Sequence, residues 1–548
     1  MARLDRLASV RLVAQIGAAI GREFSYALVR AVSRLSEDEL EAALARLVAS
    51  ELVLQRGSPP HAVYIFKHAL VQDAAHSSLL RSTRQRLHAA IAQALETDYR
   101  ELMESQPELL AQHYAEAELV EKSVDCWGRA GRRSAARSAM AEAAAQYQKG
   151  LDQLGLLPDN PDRRRQELEF SGALAAVLNA IKGPAAEETG QAYAYARQLW
   201  EQLGSPAGYL HVPYGQSRYH MYRGEYDLAM RLDDGFVRLS RERNNSGGLV
   251  LAHASSGRNL MFVGKFAMSR SHLDEALALY DPISHGSLVH QAGNYPNVGS
   301  QAYLGNALFC LGFPEQALQL SNAAIAAAQR LAHLPSLAAS LAISARLLSL
   351  MGDSAALGER ADQLIAVTTE RSFPFWRAQG TIYRGWAKAK DGDATEGISL
   401  LRSGLSAFRG TGAEMSMPHF IGLLARGCAI AGQVGEALAL IEDALQIAER
   451  TGERWFAAEL CRHKDQLRLR QKDSGAAETL FRQALTIGKE QEAKLWELRA
   501  GVSLARLHRD QGRRSEAHDV LASVYSWFTE GFDTRDLKDA KALLDELS

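Results

Sequence analysis

The chain has 548 residues, more than one hydrophobic core supports, so several domains or a repeat array are expected. Its 47% hydrophobic and 23% charged residues are ordinary for a globular protein, and a formal charge of −2 gives no general pull toward nucleic acid or an acidic membrane. The four cysteines, Cys126, Cys310, Cys428 and Cys461, are scattered with no CxxC pair, which argues against a disulfide framework or a zinc site and fits a reducing, cytoplasmic setting.

The opening residues, Met1 to Leu7, are amphipathic and lack the apolar centre of a signal peptide. No apolar run approaches the roughly 20 residues that span a bilayer, so no membrane segment is expected. Leu4–Ile20, Tyr26–Val32 and a stretch opening at Ser36 and ending near Ser50 read as three helices, the third with the capping-box signature Ser36-Glu37-Asp38-Glu39. Leu52–Arg56 and Ala62–Phe66 are β-prone runs around the turn Gly57-Ser58-Pro59-Pro60, and a helix from His68 to Arg81 follows. Three helices and a β-hairpin describe a winged-helix domain over residues 1–95. Its third helix is acidic and alanine-rich, with Arg46 as its one cation, and phosphates would repel it. A protein-facing regulatory role is expected there rather than DNA binding.

Residues 96–210 read as irregular helical hairpins, with weak units at Ala141–Leu154 and Glu187–Leu203. From 211 to 548 a phrase recurs, anchored at Gly224, Gly264, Gly312, Gly352, Gly392, Gly432 and Gly512, with Lys472 in the same phase; the spacing is 40 residues except for one of 48. Five residues after each anchor the residue is small in seven of eight units (Leu357 is the exception), so chance is a poor explanation. A second packing position follows seven residues later, on the same helical face. Glycine ends one helix and turns the chain into the next; small residues let the two helices approach closely. Such hairpins bury their remaining apolar face only on their neighbours, which predicts an all-α solenoid. The pattern resembles the tetratricopeptide family, lengthened to about 40 residues per unit. The long spacing places an insertion within residues 280–297, rich in Pro, Gly, His and Asn and therefore expected to be a loop. It serves either as a binding surface, with His285, His290, Asn294 and Tyr295 as contact candidates, or as a cover for a hydrophobic seam.

The motifs of phosphate-binding loops, dinucleotide folds, HExxH zinc sites and nucleophile elbows are missing, so no catalytic residue, metal or cofactor is assigned. Ala18–Ser25 and Tyr64–Ala75 are nevertheless very similar to a bacterial multidomain family, as is the ending Tyr525–Thr534. That family joins a class III adenylate/guanylate cyclase, a signal-transduction (STAND-type) P-loop ATPase, a winged helix and a tetratricopeptide tail. The resemblance covers the last two parts and implies that cyclase and ATPase modules are absent from this chain. It also implies a role for His68: in Lys67-His68-Ala69 it looks like the histidine that reaches an ADP phosphate in switch ATPases, here only in trans, since Lys67 and Ala69 depart from the Met-His-Asp pattern. The alternative is a structural histidine at a helix start. The expected function is thus a non-catalytic sensor or scaffold. It takes a protein, peptide or small effector in its groove and relays that state to an ATPase/cyclase partner; ATP or ADP enters only through that partner or a missing domain. The alternatives are the C-terminal part of a cyclase with ATPase activity encoded upstream, and a DNA-binding regulator. The last is disfavoured because residues 515–548 carry mixed charge and continue the repeat.

Overall fold

The computed structural model describes residues 8–137, 139–369, 373–470 and 474–548. The chain divides into two compact units, Met1–Val177 and Leu178–Ser548.

The first unit opens with α1 (Ala8–Ile20), β1 (Glu23–Ser25), α2 (Tyr26–Val32), α3 (Glu37–Ala49), β2 (Val53–Arg56), β3 (Val63–Phe66) and α4 (Ala69–Ser77). The second and third helices and the hairpin occur where the sequence places them; the first is described from Ala8, residues 4–7 lying outside the described residues, and the helix expected from His68 to Arg81 ends at Ser77. The strand β1 was not expected, because three residues are too few to show an alternating pattern. It pairs antiparallel with β3, Phe24 opposite Tyr64, and gives a three-stranded sheet in the order β1-β3-β2. Tyr26, Val29, Leu40, Leu44, Leu47, Val53 and Phe66 fill the core between sheet and helices. The capping box is closed as read: the Ser36 amide donates to Glu39 Oε2 at 2.9 Å, and the Glu39 amide donates to Ser36 Oγ at 3.4 Å.

Further along, α5 (Arg81–Asp98) and α7 (Pro107–Glu116), separated by the short α6 (Arg100–Ser105), bring three histidines into a chain. His76 Nε2 lies 3.3 Å from His88 Nε2, and His88 Nδ1 lies 2.9 Å from His113 Nδ1. One ring must donate and the other accept, which two neutral tautomers satisfy. Burial pushes both His88 and His113 down to about 4.

In the second unit each described anchor glycine has a left-handed backbone, with φ from 72° at Gly224 to 102° at Gly392; Lys472 lies outside the described residues. The geometry of a helix end explains this. The Gly224 amide donates to the Met221 carbonyl at 3.0 Å and the Glu225 amide to His220 at 2.9 Å, satisfying carbonyls the helix leaves open. The same pair of bonds recurs after Gly264, Gly312, Gly432 and Gly512. The small positions lie in the helix contacts: Ala229, Ser269, Ala317, Ala437 and Ala517 are 0% exposed. At Gly397 an added Cβ would lie 2.6 Å from the Ala389 nitrogen and 2.7 Å from the Gly385 carbonyl oxygen.

Segments far apart in sequence then meet. The Glu414 amide donates to the Tyr222 carbonyl at 2.8 Å, the Trp455 amide to Phe262 at 3.1 Å, and the Tyr226 hydroxyl to Glu453 Oε2 at 2.9 Å. Arg346, Tyr383, Trp386, Trp455 and Trp496 are buried. Much of the inner face is therefore filled by the protein's own side chains rather than left as a continuous groove.

Two expectations are corrected. Residues 280–297 are not an open loop: Pro282–His285 and Leu288–Ala292 form short helices, the first capped by Asp281 Oδ2 accepting the Ser284 amide at 2.7 Å. Leu288 and Ala292 give these turns something to bury, packing with Leu210, Tyr214, Phe236 and Val250. The insertion thus does cover a hydrophobic seam. In addition, one helix, Leu334–Met351, is long and apolar enough to cross a membrane, with mean hydropathy 1.5 over 18 residues, although 78% of it is buried among its neighbours and it carries Arg346.

Three outcomes follow for unfolding experiments. Ala for Gly at an exposed helical site adds about 1 kcal/mol of stability, but Gly397→Ala should lose about 2 kcal/mol in denaturant melts because its neighbours are backbone. At Gly432, where nothing lies within 4 Å of an added Cβ, the substitution should cost about 1 kcal/mol from the left-handed backbone alone. For the histidines, the unfolded chain takes up protons that the folded unit refuses. Stability should be full above pH ~6.5 and fall as the pH drops toward ~4; His113→Gln should flatten that slope in melts run across the window.

Candidate functional site

The site begins from a register. Six residues before each anchor, on the inner helix of each hairpin, stand Arg218, Arg258, Asn306, Arg346, Trp386, Arg426, Gln466 and Arg506. Arginine takes five of these eight positions, in a scaffold whose packing alone asks for apolar side chains. Where the unit is closed, Arg346 is consumed internally: it stacks over Phe262 at 4.9 Å and Trp455 at 5.6 Å and donates to Ser416 Oγ at 3.2 Å. The buried Glu453 lies in its field and accepts from Trp455 Nε1 and the Ser416 amide, each at 2.9 Å, yet burial still pushes its carboxyl up to about 7.

At the insertion, Arg218 and Arg258 line a small cavity of about 40 Å³ together with Tyr214, Tyr222, Asn294 and Tyr295. Arg218 Nη1 donates to the Ala292 carbonyl at 2.5 Å, and Arg258 Nη2 to Ser255 Oγ at 3.0 Å. Burial alone would raise the Tyr214 hydroxyl, but the two guanidiniums outweigh it and lower it. Among the expected contact residues, Asn294 and Tyr295 thus share one cavity. The Tyr295 amide donates to Ser336 Oγ at 3.0 Å. His285 is turned elsewhere: Nε2 sits 2.9 Å from Ser246 Oγ, and Nδ1 accepts the Asp281 amide at 3.1 Å. The side chain of His290 lies outside the described residues.

A much larger cavity, about 360 Å³, opens on the inner face farther along. Its walls come from the ends of Leu334–Met351, Pro374–Lys390, Met417–Ile430, Ala457–Arg470 and Lys494–Asp510, with the terminal helix Arg535–Leu547 beside them. A buried charge network forms its floor. Glu459 takes Arg462 through two bonds of 2.5 and 2.8 Å and Arg499 Nη1 at 3.0 Å. Arg499 also grips Asp536 at 2.9 and 2.7 Å and donates to the Leu350 carbonyl at 2.5 Å. Burial opposes ionisation of Glu459, yet Arg462 and Arg499 hold its carboxyl well below the usual carboxylate range. This network ties the last helix to the array and fixes the cavity's shape. Among the described residues no group of three metal-ligating side chains occurs.

Sequence reasoning placed candidates in the insertion and missed this cavity. The signal was there, in the arginines six residues before the anchors, but only the winding of the hairpins brings Arg426 and Arg506 onto one wall. In the first unit, His68 stands exposed at the start of α4, and its ring makes no capping bond. It does not pack or cap that helix.

No family model matches the chain. An uncharacterized protein of Rhizobium meliloti (strain 1021) is 26% identical over 516 residues, covering 92% of this chain and 49% of that protein. The chain spans about half the length of this curated relative. Among solved structures, a Rap protein complexed with competence and sporulation factor is similar with a TM-score of 0.50 at 14% identity, over 68% of this chain and 99% of that one. The apo quorum sensor NprR from B. thuringiensis gives 0.41 at 14% identity, over 67% and 99%. A STAND protein with a tetratricopeptide repeat sensor from Pyrococcus horikoshii gives 0.29 at 11%, over 99% and 65%. The Rap likeness is one of fold: the chain is an all-α, tetratricopeptide-like solenoid.

Removing Glu459 strands two buried guanidiniums, so Glu459→Ala should cost about 3–5 kcal/mol in denaturant unfolding. Asp536→Ala should cost less, because Arg499 keeps Glu459 and the Leu350 carbonyl.

Proposed function

We propose that this chain is a non-catalytic sensor and scaffold whose second unit binds an effector, a protein segment, peptide or small molecule, in the inner-face cavity. The first unit, read as a winged-helix domain, relays that state to an ATPase/cyclase partner. The observation that carries the reading is the cavity: in an inner face otherwise filled by aromatic side chains, a space of about 360 Å³ is kept open, within the size range of ligand sites. The Rap protein of like fold is complexed with a factor, which favours a bound effector on this kind of solenoid. His68 supports the relay, since an exposed imidazole at a helix start suits contact with a nucleotide phosphate of a partner. Asn294 and Tyr295 act in this reading as a fixed roof over Arg218 and Arg258.

A second reading makes the chain the C-terminal part of an adenylate/guanylate cyclase with ATPase activity, its catalytic modules encoded upstream. Its support is the curated relative, about twice as long. The genomic frame 5′ of the first codon distinguishes the two: a continuous frame with a P-loop favours the second, an in-frame stop the first.

The sensor reading is tested by thermal shift of the full chain against size-fractionated extracts of the source cell. A fraction that raises Tm by several degrees is expected, and Ala429→Trp, which fills the cavity, should abolish the shift. A shift that survives this substitution, or no shift from any fraction, would count against it.

A further inference from the structure

The cavity's cations outnumber the acids available to them. Arg462 and Arg499 are spent on Glu459 and Asp536, and Arg535 lies 3.8 Å from Asp539. Lys390, Arg426, Arg470 and Arg506 line the same space, and no carboxylate pairs with any of them among the described residues. Lys390 donates only to the Gly352 carbonyl at 2.5 Å, and Arg470 to the Ala429 carbonyl at 3.0 Å. The Arg426 guanidinium rests on the Trp386 ring at 4.4 Å. Burial and the nearby Arg462 push Arg426 down to about 9, and burial with Arg426 and Arg535 lowers Lys390. Trp386 itself is 1% exposed, lines the cavity, and its indole N–H has no acceptor among the described residues. Cations gathered without an ion-pair partner repel one another, the part-buried Lys390 and Arg426 most of all, since Arg470 and Arg506 stay exposed to water, and an orphaned buried donor costs about 1–3 kcal/mol. An acceptor-rich, multiply charged ligand relieves both.

Resting on the reading of this cavity as the effector site, we infer that it takes a small phosphorylated molecule, its phosphate oxygens held by Lys390, Arg426, Arg470 and Arg506. Phosphate suits them because guanidiniums grip two of its oxygens at once and it supplies more charge per volume than a single carboxylate. The cations line one open cavity rather than running along a strip, which favours a compact ligand over an extended acidic peptide.

Isothermal titration calorimetry of the full chain with pyrophosphate, AMP and a hexaglutamate peptide, in about 50 and 300 mM NaCl, tests this. Pyrophosphate is expected to bind one site with Kd on the order of 0.1 mM or tighter, more weakly in high salt. Arg426→Gln and Arg506→Gln should each weaken it at least tenfold, about 1.4 kcal/mol. Arg402→Gln, on an outer helix and paired with Glu436, should leave it unchanged. Melting curves of both cavity variants establish that they fold. The inference is overturned by no heat from pyrophosphate or AMP up to about 10 mM, by hexaglutamate binding more tightly than either, or by undiminished binding in the variants. If an extract fraction still shifts the wild-type melt in a cavity-dependent way, only the ligand class is wrong; if none does, the sensor reading falls with it.

Discussion

Everything in the second unit depends on how closely the two helices of each hairpin approach. Where Gly397 faces Gly385 and Ala389, there is no room for a further methyl group, and Ala229, Ala317 and Ala437 hold the equivalent places elsewhere. Dispersion and apolar burial reward such contacts only at van der Waals distance. A glycine with positive φ then turns the chain at the same point in each unit. Fixing both features at a 40-residue interval fixes the angle from one hairpin to the next, and so decides which inner-helix residues come face to face.

What comes face to face is charged. A guanidinium taken from water costs several kcal/mol unless something replaces the lost hydration. Arg346 meets part of that cost with two aromatic faces and a hydroxyl, its Nε and Nη1 finding no acceptor among the described residues, and there the inner face closes. Arg462 and Arg499 meet it with Glu459 and Asp536, and this network becomes a floor. Arg426 has no ion-pair partner among the described residues and rests on the Trp386 ring, while Arg506 stays in water, and there the inner face stays open.

The insertion shows the same economy of material. Its apolar residues, Leu288 and Ala292, seal a seam that a longer repeat interval leaves uncovered, while its end places Asn294 and Tyr295 over Arg218 and Arg258. The residues 280–297 read as loop because Pro, Gly and Asn dominate them. They fold into helical turns because the seam beneath rewards burial more strongly than local propensity resists it. In the first unit, β1 exists for a similar reason. Three residues have no pattern of their own, yet the open edge of β3 offers them hydrogen-bond partners.

The repeat was legible in the sequence because it rests on local rules. A left-handed turn requires glycine, a close helix contact requires a small residue, and a helix start rewards Ser36 with Glu39; each requirement is written within one unit. The all-α solenoid followed from those rules, and the helix at Tyr26–Val32 and the β-hairpin from local signals of their own. The cavity was not legible as a site, although each of its arginines sits at a recurring position. Which inner-face arginines find an ion pair depends on Glu459 and Asp536, which reach Arg499 only when the array has wound. Coulomb energy depends on distance in space, so the tertiary structure alone decided where the charge is spent and where it remains available.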